Sequence, residues 1–344
     1  MKVLVTGHHG YIGSVVAPLV AEAGHEVVGL DTFFYRGCDF GSDLARVEEL
    51  RRDIRDVTPA DLAGFDAVVH LAALSNDPLG DLNADWTYDV NHHATLHLAR
   101  VAKEAGVSRF VFSSSCSMYG ASGRDDALDE EAPLKPLTPY AESKVRSEEG
   151  LLELADSGFS PVSLRNATAY GVSPRLRLDV VLNNLVGWAF TTGRIRLLSD
   201  GSSWRPIVHV RDCGRAVLGA LAAPRETIHV QAFNIGASHE NYQIRDLANL
   251  VHEELPECEV EFAKGAVADP RSYRVDFRRF EQAFPEHQPE WDARRGTAEL
   301  AGAYREVGLS WEDFDGPRYT RLKHLQRLLD EGLLDGDLRW REAA

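Results

Sequence analysis

This sequence has little lysine, little cysteine and no long apolar run, and each shortage excludes a class of protein. Six lysines stand against 31 arginines, and the net charge is −16 at pH 7. A chain this acidic is a poor partner for nucleic acid or an anionic membrane. No segment approaches the roughly 20 apolar residues of a membrane-spanning helix, and the four cysteines show no disulfide or metal spacing. We therefore expect a cytoplasmic protein with reduced thiols and no bound metal.

The most informative segment is a glycine-rich turn near the N-terminus. An apolar run over residues 3–5 leads into Gly7-His8-His9-Gly10-Tyr11-Ile12-Gly13. Gly7 suits a tight turn, Gly10 lets backbone N–H groups approach a pyrophosphate, and Gly13 lets the next helix pack closely. The spacing differs by one residue from G-x-G-x-x-G, and it predicts a dinucleotide site to which Tyr11 and Ile12 contribute.

Acidic and small residues at the ends of the next predicted strands support the same site. Asp31 ends an apolar run at residues 26–30, where a carboxylate binds the adenosine ribose and repels a 2′-phosphate. This favours NAD over NADP, although Arg36 keeps NADP open. Asp53 with Ile54, and the run Leu71-Ala72-Ala73, end the following strands, where adenine and the middle of the cofactor would lie.

Apolar strand patterns alternate with helical patterns as far as residue 172. Strands are predicted near residues 2–6, 26–31, 66–72, 109–114 and 161–166, and helices near 10–23, 85–105 and 138–156. Such alternation implies parallel pairing and right-handed crossovers. We therefore predict a doubly wound parallel α/β (Rossmann) domain over residues 1–172, rejoined by strands near 207–236. Residues 173–344 form a smaller α/β substrate-binding lobe in this prediction.

A serine-rich strand end and a Tyr-x-x-x-Lys pair carry the predicted chemistry. The strand from residue 109 runs into Ser113, Ser115 and Ser117, and Tyr140 follows Ser115 by 25 residues. Lys144 lies four residues after Tyr140, so both share one helical face. An ammonium group near a phenol lowers its pKa from about 10 towards neutrality, which makes Tyr140 a general acid and base.

Together these motifs resemble the extended short-chain dehydrogenase/reductase family, in particular its nucleotide-sugar epimerases and dehydratases, over nearly the whole chain. The resemblance implies that Ser115 and Tyr140 handle the proton of a substrate hydroxyl, helped by Ser117. It implies that Lys144 binds the nicotinamide ribose of NAD. Asn91 and Ser113 are further motif matches at the cofactor. A homodimer joined through a four-helix bundle of helices 85–105 and 138–156 is also implied.

The resemblance also predicts residues that bind a nucleotide sugar. They are Ser75, Thr168, Asn183, Arg205, Asp269 and Arg271. Thr168 stands where the family usually has Asn, and Ala266 stands where it has an arginine, for which Arg271 or Arg274 could substitute. The nucleotide and the sugar therefore stay open.

The residues after Ser115 sort the reaction types within the family. Dehydratases that resemble this chain carry Asp-Glu there, whereas this chain has Cys116-Ser117. Ser117 fits a 4-epimerase, and Cys116 is one residue away from the column in which 3,5-epimerases use a cysteine, so we interpret it as a packing residue. We expect an NAD-dependent 4-epimerase acting through a 4-keto sugar. The alternatives are an NAD(P)H-dependent ketosugar reductase, a 4,6-dehydratase, a 3,5-epimerase, or a dinucleotide-sensing regulatory protein.

Overall fold

The computed structural model describes residues 1–41, 47–75, 80, 82–121, 126–197, 199–263, 267 and 269–341. Over these residues, strands and helices alternate along the first half of the chain, as predicted. The strands are β1 (Lys2–Thr6), β2 (Glu26–Asp31), β3 (Glu48–Arg51), β4 (Ala67–His70), β5 (Arg109–Ser115), β6 (Ser160–Asn166), β7 (Thr168–Tyr170), β8 (Arg194–Leu197), β9 (Trp204–His209), β10 (Gln231–Ile235), β11 (Asn241–Gln243) and β12 (Glu259–Phe262).

Helices cover the strands and connect them. They are α1 (Gly13–Glu22), α2 (Ala84–Tyr88), α3 (Ala94–Glu104), α4 (Pro139–Leu154), α5 (Val181–Thr192), α6 (Val210–Ala222), α7 (Arg225–Ile228), α8 (Ile244–Glu254), α9 (Arg278–Ala283), α10 (Ala293–Val307), α11 (Trp311–Asp315) and α12 (Arg321–Asp330). A π-helical turn, Asp89–His93, joins α2 to α3. No described helix is long and apolar enough to cross a membrane.

Seven strands form one parallel sheet in the order β10-β6-β5-β4-β1-β2-β3. Its central strands are apolar on both faces because helices cover both, and Val3, Leu4, Val68 and Val69 are fully buried. The order reverses beside β1, so the carboxyl ends of β1 and β4 open a crevice at the switch point. The predicted doubly wound sheet is confirmed.

The strand predicted near residue 207 lies outside the central sheet. Only β10 of the 207–236 region joins it, beside β6. β9 instead pairs with β7 in parallel and with β11 antiparallel, in a separate sheet of three strands. Apolar side chains from α5, α8 and α10 pack around β8 and β9 to form a second core. This core supports the lobe that faces the crevice.

Residues after α11 return to the N-terminal half of the chain. Leu325, Leu328 and Leu338 pack with Phe34 and Leu74 in one apolar cluster. Polar contacts extend it: Trp340 Nε1 donates to the Thr32 carbonyl at 2.6 Å, and Arg55 donates to the carbonyls of residues 337 and 338. The C-terminal segment, residues 321–341, thus lies against the end of β2 and the turn after β3.

Candidate active site

A cleft of about 1050 Å³ lies between the carboxyl edge of the central sheet and the lobe. All but two of the predicted site residues line it. They are Gly7, Gly10, Tyr11, Ile12, Gly13, Asp31, Asp53, Ile54, Leu71, Ala72, Ala73, Ser75, Ser113, Ser115, Ser117, Tyr140, Lys144, Thr168, Arg205, Asp269 and Arg271. The long-range packing therefore brings both predicted sets, cofactor and substrate, to one cavity.

The glycine turn forms a backbone cradle at one side of this cleft. Gly7 has a φ of +73°, and a Cβ there would lie 2.7 Å from the Ala72 nitrogen. A Cβ on Gly13 would overlap the Gly7 carbonyl, while Gly10 donates to that same carbonyl at 2.9 Å. Because side chains are excluded here, the backbone and the N-terminal end of α1 are accessible to a pyrophosphate. The residues present therefore fit a dinucleotide.

Asp31 is held in place at the end of β2. Its two carboxylate oxygens accept backbone N–H groups of His9 at 3.0 Å and of Phe33 at 2.7 Å. Asp53, after β3, accepts a two-nitrogen contact from Arg55, which is itself almost buried. Arg36 is exposed and is not part of the cleft wall. The ribose end of the cleft therefore carries a fixed negative charge, as a preference for NAD requires.

His8 and His9 lie beside Glu49, and no sequence pattern associates this residue with them. One potential ligand atom from each lies within 4.8 Å of the others. Arg175 Nη2, however, donates to His9 Nδ1 at 3.1 Å, so the His9 proton sits on Nε2 and is donated to Glu49 at 2.9 Å. This arrangement is an Arg-His-Glu hydrogen-bond chain, and it leaves His9 no lone pair for a metal.

The hydroxyl and amine groups predicted for catalysis converge where β5 ends. Thr138 caps α4 by accepting from Ala141 N–H at 3.2 Å, which fixes the first turn that carries Tyr140. Ser115 donates to Ser117 Oγ at 2.9 Å and accepts the Ser117 N–H at 3.2 Å. Lys144 lies on the same face of α4 as Tyr140, with Nζ 5.8 Å from the Tyr140 ring centre.

Lys144 is a buried cation with few partners. Its side chain is 3% exposed, Nζ donates to the Ser113 carbonyl at 2.7 Å, and the Phe112 ring lies 4.6 Å away. Burial lowers the pKa of Lys144 to about 7, and the more distant Glu148 carboxylate only partly opposes this. A negative charge on Tyr140 or on bound ligand would restore the charged form, so the ammonium is suited to stabilise a phenolate.

A second charged cluster lies at the lobe end of the cleft. Asp269 accepts from Arg205 Nη2 at 2.8 Å and from Arg271 Nη2 at 2.9 Å. Burial alone would raise the pKa of Asp269, but the hydrogen bonds from Arg271 and the charge of Arg205 lower it overall. Two guanidinium groups thus face one carboxylate, and the excess positive charge suits an anionic ligand.

Two predicted contact residues lie behind the wall instead of in it. Asn91 is 1% exposed. Its Oδ1 accepts from the Leu74 N–H at 2.7 Å, and its Nδ2 donates to the Leu74 carbonyl at 3.0 Å. Asn183 is fully buried and binds the Gly171 N–H and the Arg177 carbonyl, while its neighbour Asn184 lines the cleft. The structure therefore places both residues outside the cleft wall, contrary to the predicted direct contact, because internal backbone groups already occupy these amides.

Cys116 is also turned away from the cleft. Its side chain is 1% exposed, and Sγ donates to the Arg165 carbonyl at 3.0 Å. Burial raises the pKa of the thiol well above its usual value. Ser117, by contrast, lines the cleft, so the 3₁₀ turn Cys116–Tyr119 that follows β5 places the hydroxyl at the site and the thiol in the core. Ala266, the other departure noted in the sequence, lies outside the described residues.

Arg177, Asp179 and Arg321 line the cleft without having been predicted from the sequence. Arg177 contacts Asp179 through Nε at 2.8 Å and Nη2 at 3.2 Å. Its other contacts are Ser75 Oγ at 2.9 Å and the Ser75 carbonyl at 3.1 Å. An arginine and an aspartate two residues apart, at positions 177 and 179, are the one local sequence signal for this pair of cleft residues. No local sequence signal marks Arg321 as a cleft residue.

Fold and site together define a class. A doubly wound sheet with a glycine cradle, an acidic strand end, a serine at the end of β5, and a tyrosine and lysine on α4 identifies a dinucleotide-dependent enzyme of the short-chain dehydrogenase/reductase type. Comparison with known proteins agrees with this class. The model of the NAD-dependent epimerase/dehydratase family matches residues 3–236. The chain belongs to that family, and NAD is its cofactor.

Individual relatives and structures are similar to this chain over most of its length. The uncharacterized UDP-glucose epimerase YtcB of Bacillus subtilis is 30% identical over 246 residues, which cover 67% of this chain and 76% of that protein. A UDP-glucose 4-epimerase of the same organism is 27% identical, covering 87% and 94% of the two chains. The solved structure of MoeE5 with UDP-glucose and NAD is 26% identical, with a TM-score of 0.77 over 90% of this chain and all of the other.

Proposed function

We propose that this protein is an NAD-dependent epimerase of a nucleotide-activated sugar, acting at C4. The observation that carries the proposal is one cleft that joins a cofactor cradle, the Ser115–Tyr140–Lys144 group and the Arg205–Asp269–Arg271 cluster. The names of its relatives favour a UDP sugar as substrate.

The chain's own residues supply binding and proton transfer. Gly7, Gly10 and Gly13 would hold the cofactor's pyrophosphate, and Asp31 its adenosine ribose. NAD⁺, when bound, would supply the hydride acceptor and donor for the sugar carbon. Tyr140 removes the proton from the sugar hydroxyl oxygen and returns it afterwards, while Ser115 donates a hydrogen bond to that oxygen. The arginines of the lobe cluster bind the substrate diphosphate.

Carboxylates near the reacting carbon would be needed to eliminate water, and the cleft gives no support for that reaction. Four aspartates line the described part of it: Asp31, Asp53, Asp179 and Asp269. Each accepts hydrogen bonds from backbone N–H groups or arginines. Position 116 holds a buried thiol and position 117 a hydroxyl, which favours epimerisation over dehydration.

The test follows the C4 hydrogen of the substrate. UDP-glucose labelled with deuterium at C4 is incubated with the purified protein, and the sugar is analysed by NMR. An epimerase converts it to UDP-galactose with the deuterium retained and without consuming added NADH. No conversion of UDP-glucose, together with reduction of a nucleotide-4-ketosugar with consumption of one NAD(P)H per turnover, would instead indicate a ketosugar reductase. The dinucleotide released on denaturation is identified by mass spectrometry.

Tyr140→Phe removes the proposed acid and base. Turnover should fall by roughly 10²–10⁴-fold, while the dinucleotide content stays unchanged, because the ring and its packing are retained. Tyr170→Phe is the matched control. Tyr170 is buried, lies outside the cleft wall, and its hydroxyl has no hydrogen-bond partner among the described residues. Equal turnover in the two variants would contradict the role of Tyr140, and retained partner binding without turnover would indicate a sensor.

Three further proposals concern the whole molecule. We propose that residues 1–172 with β10 form the cofactor domain and that the remainder forms the substrate lobe. A homodimer through the helices at 84–104 and 139–154 is supported by the exposed Leu152 of α4, 56% accessible; sedimentation of a single 38.1 kDa species would exclude it. A cytoplasmic location is supported by four unpaired, buried cysteines.

A further inference from the structure

A buried guanidinium group from α12 stands in the cleft wall with an unused donor. Arg321 is 3% exposed, and its Nη2 donates to the Arg175 carbonyl at 2.8 Å. Its guanidinium carbon lies 4.0 Å from the ring centre of Tyr35. The remaining nitrogen, Nη1, has no hydrogen-bond partner among the described residues. A buried cation with a free donor is unfavourable unless an anion meets it.

The charges around Arg321 do not cancel. Arg177 and Asp179 act on it electrostatically, and the Asp179 carboxylate is engaged by two nitrogens of Arg177. Burial lowers the pKa of Arg321, and the positive charge of Arg177 adds to this effect. One positive charge therefore remains in excess at this part of the wall, although the whole chain carries −16.

The position of this excess charge selects the group that it would bind. Arg177 donates to Ser75, which directly follows the end of β4, and the Arg321 guanidinium lies on the ring of Tyr35, four residues after Asp31. Both arginines line the cleft, between the end of β4 and the ribose-binding end of β2, where the middle of a bound dinucleotide would run. The diphosphate of the sugar nucleotide has its own cations at the opposite end of the cleft, in Arg205 and Arg271.

We propose that Arg321 and Arg177 form an anion subsite for the pyrophosphate of the dinucleotide, so that the C-terminal segment completes the cofactor site. The proposal concerns cofactor binding and stands whether or not the C4 reaction is correct. The carbonyl of Arg175 and the ring of Tyr35 orient the guanidinium, and Nη1 supplies a charge-assisted hydrogen bond to a phosphate oxygen.

The experiment compares ligands with and without phosphate on the full-length protein freed of dinucleotide. Arg321→Gln should weaken binding of NAD⁺ and of ADP by about 10–100-fold, the effect expected for one hydrogen bond to a charged group. Binding of adenosine should change less than about twofold. Lys323→Gln is the matched control, because Lys323 lies on the same helix, is 46% exposed and pairs with Asp315.

Each other outcome overturns the proposal. Unchanged NAD⁺ and ADP affinity would show that Arg321 binds no phosphate. An equal loss for adenosine would show a structural role, and a loss for UDP-glucose alone would assign the anion to the substrate. Should Arg321→Gln not fold, hydrogen exchange on the unmodified protein decides: ADP should slow exchange in residues 321–330, adenosine should not, and equal exchange with both ligands would refute the subsite.

Discussion

We expect the buried Lys144 ammonium to destabilise the folded protein, although the same group is needed for activity. Moving its pKa from 10.5 to about 7 corresponds to roughly 4–5 kcal/mol of destabilisation at and below neutral pH. Replacing it with Met removes this penalty but also loses the bond to Ser113 and the contact with Phe112, about 1 kcal/mol each. We therefore expect Lys144→Met to stabilise the NAD-free protein by roughly 2–3 kcal/mol at pH 6.

The sign of the pH dependence follows from the direction of the shift. Below pH 7, Lys144 is protonated in both folded and unfolded chains, so the full penalty is present. Between about pH 7 and 10.5 the unfolded chain binds the proton more tightly, so the wild-type protein gains stability as pH rises. The advantage of Lys144→Met should therefore be largest at pH 6, disappear near about pH 9, and become a disadvantage of about 2 kcal/mol by about pH 10.5.

The measurement is a pair of thermal unfolding series, variant minus wild type, at pH 6 and pH 10. For a chain of 344 residues, an unfolding entropy near 0.7 kcal/mol/K makes 2 kcal/mol equal to a Tm increase of about 3 °C. Turnover of the variant should be almost lost, because nothing would then stabilise the Tyr140 phenolate. A variant less stable than wild type at pH 6, or a Tm difference independent of pH, would refute this account.

Two other changes test the cofactor end of the cleft. Gly13→Ala should destabilise the protein by about 1–3 kcal/mol and abolish NAD retention, because the added Cβ would overlap the Gly7 carbonyl. Urea unfolding checks this prediction, with Gly302→Ala, in open space on α10, as the control. Equal effects of the two substitutions would contradict it. Asp31→Asn should raise the affinity for NADP⁺ relative to NAD⁺ by at least about tenfold, since a carboxylate no longer faces the 2′-phosphate. Titration of the protein with both cofactors checks this prediction. An unchanged ratio of affinities would show that Asp31 does not set the preference.

The parts of the site that local sequence predicts are those encoded within one strand-turn-helix unit. The strands β1, β2, β5 and β6 follow from short apolar runs, and the glycine turn and the Tyr140–Lys144 pair follow from spacing alone. Their chemistry needs no knowledge of what packs against them. The family, the sheet type and the cofactor are accordingly predictable from the sequence alone.

The parts that sequence does not predict depend on contacts between distant residues. Asn183 and Asn184 are adjacent and chemically identical, and only the packing of α5 decides that the first is buried and the second faces the cleft. The sequence of β9 is typical of an ordinary apolar strand, and the polar residues beside it in the sequence do not indicate which sheet it joins. Arg321 looks like one more charged residue of an amphipathic helix until α12 is seen against Tyr35.

The contacts between the C-terminal segment and the turn after β3 have a consequence for how the protein is made. Arg55 and the carbonyl of Asp337 are separated by 282 residues. At about 5–20 residues per second, a ribosome needs roughly 15–55 s to produce the second partner after the first. Throughout that interval Phe34 and Leu74 lack the leucines of the C-terminal segment with which they pack, so this apolar cluster of the nascent chain stays incomplete until the end of synthesis.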